Sequence, residues 1–193
     1  MERLLAVLVA TLAGLGIQVV PIGDAHDGIV PPREVGTVVA GQPAPDPAPD
    51  PGPDPATCPL TPHGVVVDRA AQRAWLCDAG VVVRVMPITS AADQPDPAVY
   101  EIYAEDLRTT SYYGPRPSVL DHFVAFARGK YEGARIGFHA VPRYADDTLA
   151  QPLETVGTPE LFGASSGCIR LRPEDALALW DFLAVGDQVH VIT

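Results

Sequence analysis

The sequence predicts a mainly β domain with one late helix, that is, an α+β fold. The chain has 193 residues, enough for one domain with its own hydrophobic core and a tail. Its 21 prolines and 17 glycines are too many for a helical bundle, while an apolar share of 47% excludes a chain that is disordered throughout. Short β-branched runs bounded by turn residues favour strands for most of the domain.

Residues 1–25 have the pattern of an export signal. Arg3 precedes an almost unbroken apolar run over 4–20, and Gly23 and Ala25 offer small residues for a signal peptidase. The run also approaches the length that spans a bilayer, so an uncleaved N-terminal membrane anchor is the alternative. Either way, we expect an exported protein that works outside the cytoplasm, in the cell wall or tethered to the membrane.

Residues 26–57 are expected to form a flexible Pro/Asp-rich linker. Over 43–55, Pro alternates with Ala, Asp or Gly. Proline lacks the amide donor that helices and sheet ladders need, so this part should be extended at roughly 3 Å per residue. The folded domain is therefore expected over 58–193.

The folded part begins with three candidate strands at 64–68, 74–77 and 81–86. They are rich in β-branched or aromatic residues, and Asp-Ala-Gly at 78–80 predicts a hairpin between the last two. Further candidate strands, again bounded by Pro and Gly, lie at 99–105, 123–127 and 135–141. We expect an antiparallel sheet.

One helix is predicted to begin at Pro173. Proline suits the first helical position, and Glu174 and Asp175 suit the positive end of the helix dipole. Gly186 ends the segment, and the alternating residues 188–192 predict a closing strand. The apolar residues of the segment recur at helical spacing and are predicted to form one apolar face: Ala176, Leu177, Leu179, Trp180 and Leu183.

The three cysteines are informative because an exported chain usually oxidises its thiols in pairs. Cys58 starts the domain and Cys77 ends a candidate strand, so a bridge between them would clamp the domain start to its sheet. Two unpaired buried thiols are the alternative. Cys168 is then the free thiol.

Cys168 has the context of a nucleophile. Small neighbours leave the backbone amides of Ser166, Gly167 and Cys168 uncovered, which suits an oxyanion hole. A thiol needs a base to react at neutral pH, and His139, at a strand end, is the best candidate among the five histidines. The structural alternative is a small buried hydrophobic residue.

The sequence resembles the L,D-transpeptidase (YkuD) catalytic domain family, whose pattern is a His, then Ser/Thr-His-Gly-Cys, an apolar residue and Arg or Asn. The matching segments are Gly-Phe-His at 137–139 and Ser-Ser-Gly-Cys-Ile-Arg-Leu at 165–171. The runs at 65–68, 72–76 and 78–80 resemble the opening hairpin of that family. The resemblance implies a β-sandwich of the L,D-transpeptidase catalytic type.

Two features depart from the family pattern. Ser166 stands where the pattern has His, and the step from His139 to Cys168 is longer than usual. Because position 166 contributes through its backbone amide, we expect Ser to be tolerated. The longer step is interpreted as a loop insertion over 143–162.

The resemblance implies a role for each matched residue. Cys168 would be the acyl-accepting nucleophile, with His139 as its general base. The amides of Gly167 and Cys168, with that of Ser166, would form the oxyanion hole. Arg170 would bind a substrate carboxylate or hold the loop through an ion pair.

The implied activity is cysteine-dependent acyl transfer on peptidoglycan stem peptides, which serves cell-wall organisation and cell shape. No cofactor is expected. No metal is expected either, since His63, His122 and His190 lack ligand spacing with acidic or Cys partners. A net charge of −11 makes nucleic acid an unlikely partner. Three tyrosines are expected either to line the substrate groove or to pack in the interior: Tyr112, Tyr113 and Tyr131.

Other classes fit less well. A sortase would need a Thr-Leu-x-Thr-Cys type strand and a more distant Arg, and papain-like wall amidases place Cys before His. Two alternatives remain: an L,D-carboxypeptidase, in which water is the acceptor, and a non-catalytic cell-wall-binding module in which Cys168 is a relic.

Overall fold

The computed structural model describes residues 58–131 and 133–193. The predicted leader and the predicted linker lie outside these residues. Within the described part, strands dominate and one α-helix comes late in the chain. The elements are β1 Gly64–Asp68, β2 Arg73–Asp78, β3 Val81–Pro87, β4 Ala98–Glu101, β5 Ala104–Ser111, β6 Ser118–Arg128, β7 Arg135–Ala140, β8 Ile169–Leu171, α1 Pro173–Phe182 and β9 Gln188–Val191.

The strands form two sheets. One has the order β3-β2-β1-β9-β4 and the other the order β5-β6-β7-β8. Most neighbours are antiparallel, but β1 pairs with β9 and β7 pairs with β8 in parallel. The expectation of an antiparallel sheet is therefore confirmed for most strand pairs and wrong for these two. Parallel neighbours need a long crossover connection, and local sequence patterns carry no information about which distant strand returns beside an earlier one.

The predicted strand over 99–105 is two strands, β4 and β5. At the break, the amide of Ile102 donates to Asp187 O, while the amide of Tyr103 donates to Ala125 O, both at 2.9 Å. The chain thus leaves the partners of the first sheet and joins those of the second within two residues. Contacts with residues far along the chain, rather than local propensity, create the break.

The helix begins at the predicted residue, with Pro173 in its first turn. Its buried residues Ala176 and Leu179 pack into the main core, together with Leu183 just beyond its end. Leu177 is 45% exposed and faces solvent. The prediction that it belongs to the apolar face of the helix is therefore wrong. The helix contacts β6, β7 and β8, which fixes the second sheet against the core.

Cys58 and Cys77 form a disulfide, as predicted, and Cys168 is a free cysteine. Cys77 lies in a small cluster with Val66 and Trp75, against which Cys58 packs. The bridge therefore holds the start of the described chain onto β2. Among the described residues, no helix combines the length and apolarity needed to cross a bilayer.

We expect the double variant Cys58→Ala/Cys77→Ala to lower the free energy of unfolding by about 3 kcal/mol, because the bridge closes a loop of about 20 residues in the unfolded chain. Urea denaturation of the oxidised wild type and the variant measures this difference. Reduced wild type serves as the control and should match the variant. A difference below about 1 kcal/mol would show that the bridge contributes little.

Candidate active site

A cavity of about 400 Å³ opens on the second sheet. Its walls come from the β5–β6 connection, the turn before β8 and the insertion that precedes that turn. Every side chain or amide predicted for the site borders it: His139, Ser166, Gly167, Cys168 and Arg170. Residues separated by the whole insertion in sequence thus surround one space.

The parallel register of β7 and β8 brings these residues together. Phe138 pairs with Ile169 and His139 pairs with Arg170. Cys168, one residue before β8, therefore lies beside the residue that precedes Phe138 in β7. The two strands present the base candidate and the nucleophile candidate to the same cavity.

The Cys168 thiol is held in a low-polarity setting. It packs against the cluster of Leu120, Phe123 and Ala125, and its Sγ donates to Arg135 O at 3.7 Å. Burial raises the pKa of the thiol, while a hydrogen bond from the Gly137 backbone and the charges of nearby arginines act in the opposite direction. The resting side chain is a neutral thiol at neutral pH.

His139 is buried, with 2% of its surface exposed, and its ring stacks on Phe123 with 6.1 Å between centroids. The pKa of His139 is lowered to about 4, mainly by burial and to a smaller extent by the charge of Arg170, while a hydrogen bond at Ala140 acts in the opposite direction. Nδ1 lies 2.6 Å from Ala140 O. A carbonyl only accepts, so Nδ1 carries the hydrogen and Nε2 is left as the basic nitrogen.

Arg170 is partly buried without an ion-pair partner among the described residues. Its side chain donates to Gln151 Oε1 at 3.0 Å, and its backbone exchanges two hydrogen bonds with Thr89. Gln151 in turn donates to Thr89 Oγ1 at 3.0 Å. Neutral groups therefore position the guanidinium, and its charge is not neutralised by a carboxylate of the described chain.

The turn before Cys168 holds itself together through Ser165. Its hydroxyl donates to Cys168 O at 2.6 Å and accepts from the Gly167 amide at 3.3 Å. The Ser166 and Cys168 amides donate to no protein acceptor in residues 58–131 and 133–193. Of the three predicted oxyanion donors, these two are uncommitted and the third makes one long bond.

The cavity has a positive lining in an acidic protein. Three arginines border it, and no Asp or Glu does among the described residues. Arg135 pairs with Asp106 at 2.6 Å, and Arg116 pairs with Asp146 at 2.8 Å, both carboxylates lying outside the lining. Arg170 has no such partner. An anionic ligand is the group that this lining favours.

The insertion and the predicted aromatic residues surround the mouth of the cavity. Within 143–162, Tyr144 and Ala150 line the cavity, and two short 3₁₀ turns follow at Leu153–Thr155 and Pro159–Leu161. The guanidinium of Arg116 stacks 3.8 Å from the centroid of the Tyr144 ring. All three predicted tyrosines line the cavity with partly or largely exposed rings: Tyr112, Tyr113 and Tyr131.

Sequence reasoning did not identify three residues that support the site. Gln94 contacts the turn before Cys168, Gln151 positions Arg170, and Phe123 packs against both Cys168 and His139. Glutamine and phenylalanine carry no motif signal here. Among the described residues no group of His, Cys, Asp or Glu is arranged to hold a metal ion.

Gly137 permits the close approach of β6 and β7 beside the site. A Cβ at this position would lie 2.4 Å from Val124 O and 2.9 Å from Val124 C. Both are backbone atoms of the neighbouring strand, so no side-chain rotation can relieve the overlap. The same glycine supplies the backbone hydrogen bond to Cys168.

The two-sheet, mostly β architecture with one helix matches solved L,D-transpeptidases. A structure from Stackebrandtia nassauensis has 20% identity and a TM-score of 0.50, covering 69% of this chain and 56% of its own. One from Mycobacterium smegmatis has 20% identity and a TM-score of 0.51, covering 68% and 59%. A point mutant of the Enterococcus faecium enzyme has 19% identity and a TM-score of 0.53, covering 69% and 50%.

The fold thus defines an L,D-transpeptidase-type catalytic domain. The model of the YkuD family, the L,D-transpeptidase catalytic domain, matches residues 62–191, and the chain belongs to this family. No curated protein matches the chain. The chain spans between half and three-fifths of the length of the three solved structures.

Gly137→Ala is expected to lower the free energy of unfolding by at least about 3 kcal/mol, because the added methyl group would force β6 and β7 apart. Gly133→Ala is the control, since nothing lies within 4 Å of a Cβ there. Its φ of +68° lies in the left-handed region and should cost only about 1 to 2 kcal/mol. Chemical denaturation of both variants measures the difference, and equal losses would contradict the close approach.

Proposed function

We propose that the protein is a cysteine-dependent L,D-transpeptidase acting on peptidoglycan stem peptides. The observation that carries the proposal is the placement of a free thiol just before β8 and a neutral imidazole on the parallel neighbour β7, around one cavity with a positive lining. Membership of the family supports the reaction type.

In the first half-reaction, Nε2 of His139 takes the thiol proton and Sγ of Cys168 attacks the carbonyl carbon of the third stem residue. Sγ donates to Arg135 O at 3.7 Å, so transfer to His139 requires rotation of the S–H bond away from that carbonyl. The tetrahedral intermediate then expels the amine of D-Ala, which receives the proton from His139. A thioester to Cys168 and free D-Ala result.

In the second half-reaction, an amine of another stem attacks the thioester. His139 takes a proton from that amine and returns it to Sγ as the thioester bond breaks. The products are a new amide, which cross-links the two stems, and the original thiol. If water replaced the amine, the same site would act as an L,D-carboxypeptidase, so the acceptor distinguishes these two activities.

The backbone before β8 is suited to stabilise the oxyanion. The Cys168 and Ser166 amides have no protein acceptor in the described part of the chain, and the Gly167 amide makes only a 3.3 Å bond to Ser165 Oγ. Donors aimed in advance at the developing charge need no reorganisation during the reaction. We assign the main oxyanion contact to the Cys168 amide.

Substrate recognition is assigned to Arg170. Its partly buried guanidinium has no ion-pair partner in residues 58–131 or 133–193, and stem peptides end in a carboxylate. A carboxylate in the cavity would compensate this charge through charge-assisted hydrogen bonds. The disulfide at Cys58 supports action in an oxidising compartment outside the cytoplasm.

Cys168→Ala should abolish acyl transfer, because the nucleophile is gone. A carbapenem should acylate Cys168 of the wild type and add the mass of one drug molecule, whereas Cys168→Ala should show no adduct. His139→Ala should acylate at least about 100-fold more slowly near neutral pH, since its thiol stays protonated. Time-resolved intact-protein mass spectrometry measures all three.

Equal labelling of Cys168→Ala would place the reactive group elsewhere. A folded wild type that stays unlabelled would favour the non-catalytic wall-binding module. Circular dichroism of each variant serves as the control for folding.

The acylation rate of the wild type should be flat between about pH 5 and 8, because the reactive pair holds a single proton over that whole range. The His139 pKa of about 4 sets the lower limit, and the raised thiol pKa sets the upper one. In His139→Ala the rate should instead rise about tenfold per pH unit, since only the thiolate reacts. A wild-type profile that rises through pH 6 to 7 would show a base with an ordinary histidine pKa.

A further inference from the structure

The side chain of Gln94 joins three segments around the nucleophile. It is 5% exposed and borders the cavity. Nε2 donates to Ser166 O, and Oε1 accepts from the Lys130 amide at 2.9 Å. Both ends of one buried amide are therefore used, one on the turn before Cys168 and one on the turn after β6.

The packing around Gln94 leaves little freedom. A Cβ on Gly167 would lie 2.9 Å from Gln94 Nε2, and a Cβ on Gly129 would lie 3.1 Å from Gln94 Oε1. Gly167 also has a φ of +148°, which few other residues adopt. The two glycines thus allow backbone on both sides to contact the amide plane directly.

Gln94 is the last residue of a segment, 88–94, that lies beside the turn before Cys168. Thr89 exchanges two backbone hydrogen bonds with Arg170, and Ser90 O accepts from the Gly163 amide at 3.0 Å. Gln94 then reaches Ser166. Residues 88–94 therefore support the turn from its beginning to β8.

We propose that Gln94 is a positioning residue for the oxyanion hole; this role rests on the proposed acyl-transfer function. A peptide unit is planar, so holding Ser166 O fixes the direction of the Gly167 amide. The close packing of Gly167 against Gln94 Nε2 restricts the next peptide, which carries the Cys168 amide. Gln94 therefore sets where the donors point. Its side-chain amide bonds to backbone atoms of Ser166 and Lys130 and makes no hydrogen bond to Cys168 or His139.

The Ser166 side chain does not hold the turn. It is exposed and makes no hydrogen bond within the described residues. Residue 166 is instead held by a hydrogen bond to its backbone carbonyl. Gln94 supplies that contact from a neighbouring segment.

Two reagents separate this role from a general effect on the thiol. Iodoacetamide alkylates a thiolate by displacing iodide and forms no oxyanion on a carbonyl, whereas carbapenem acylation does. Gln94→Ala should reduce acylation by about 10- to 100-fold while changing alkylation of Cys168 by less than about threefold. Gln94→Glu, which keeps the acceptor for the Lys130 amide and loses the donor to Ser166, should behave in the same way.

Asp93→Asn is the matched control. Asp93 pairs with the Lys130 side chain, both being half-exposed, so it links the same two segments without touching Ser166. This variant should keep both rates within about twofold of the wild type, since exposed ion pairs contribute little. If it loses acylation as Gln94→Ala does, linking of the segments matters and Gln94 has no special role.

Each outcome has a distinct meaning. Normal acylation of a folded Gln94→Ala or Gln94→Glu overturns the role, as does a parallel loss of acylation and alkylation in both variants. If Gln94→Ala fails to fold, Gln94→Glu alone decides. A folded wild type that is alkylated but never acylated overturns the proposed function, and the role of Gln94 with it.

Discussion

The parallel pairing of β7 with β8 is the constraint on which the site depends. It places Arg170 opposite His139, and so brings Cys168 beside Gly137 of β7. On its other edge β7 pairs with β6, and Gly137 permits that close approach because no side chain fits against Val124 O. The insertion between β7 and β8 contributes further residues to the site. One of them, Gln151, positions Arg170.

Burial determines the charges of the pair. Desolvation raises the thiol pKa and lowers that of the imidazole, so both groups rest neutral. Arg170 favours a thiolate and disfavours an imidazolium, and it carries a charge that no described carboxylate compensates. Under the proposed function, an anionic substrate would complete this electrostatic arrangement.

Local sequence signals predict some elements of this structure, whereas others depend on contacts between distant segments. The helix from Pro173 was predictable because its start residue and apolar spacing lie within one segment. β8 is three residues long, too short for a periodic pattern, and parallel pairing depends on distant strands. Cys168 and His139 follow from motif order, whereas the contacts of Gln94 exist only once three separate segments meet.

Acyl transfer by Cys168 can be followed with a natural donor. Purified protein is mixed with a tetrapeptide stem, and its intact mass is followed together with the release of D-Ala. We expect an adduct with the mass of the tripeptide acyl group, located on Cys168 by peptide mapping, and one D-Ala released for each adduct. A folded protein whose thiol alkylates normally, yet which gains no adduct and releases no D-Ala, would contradict the account.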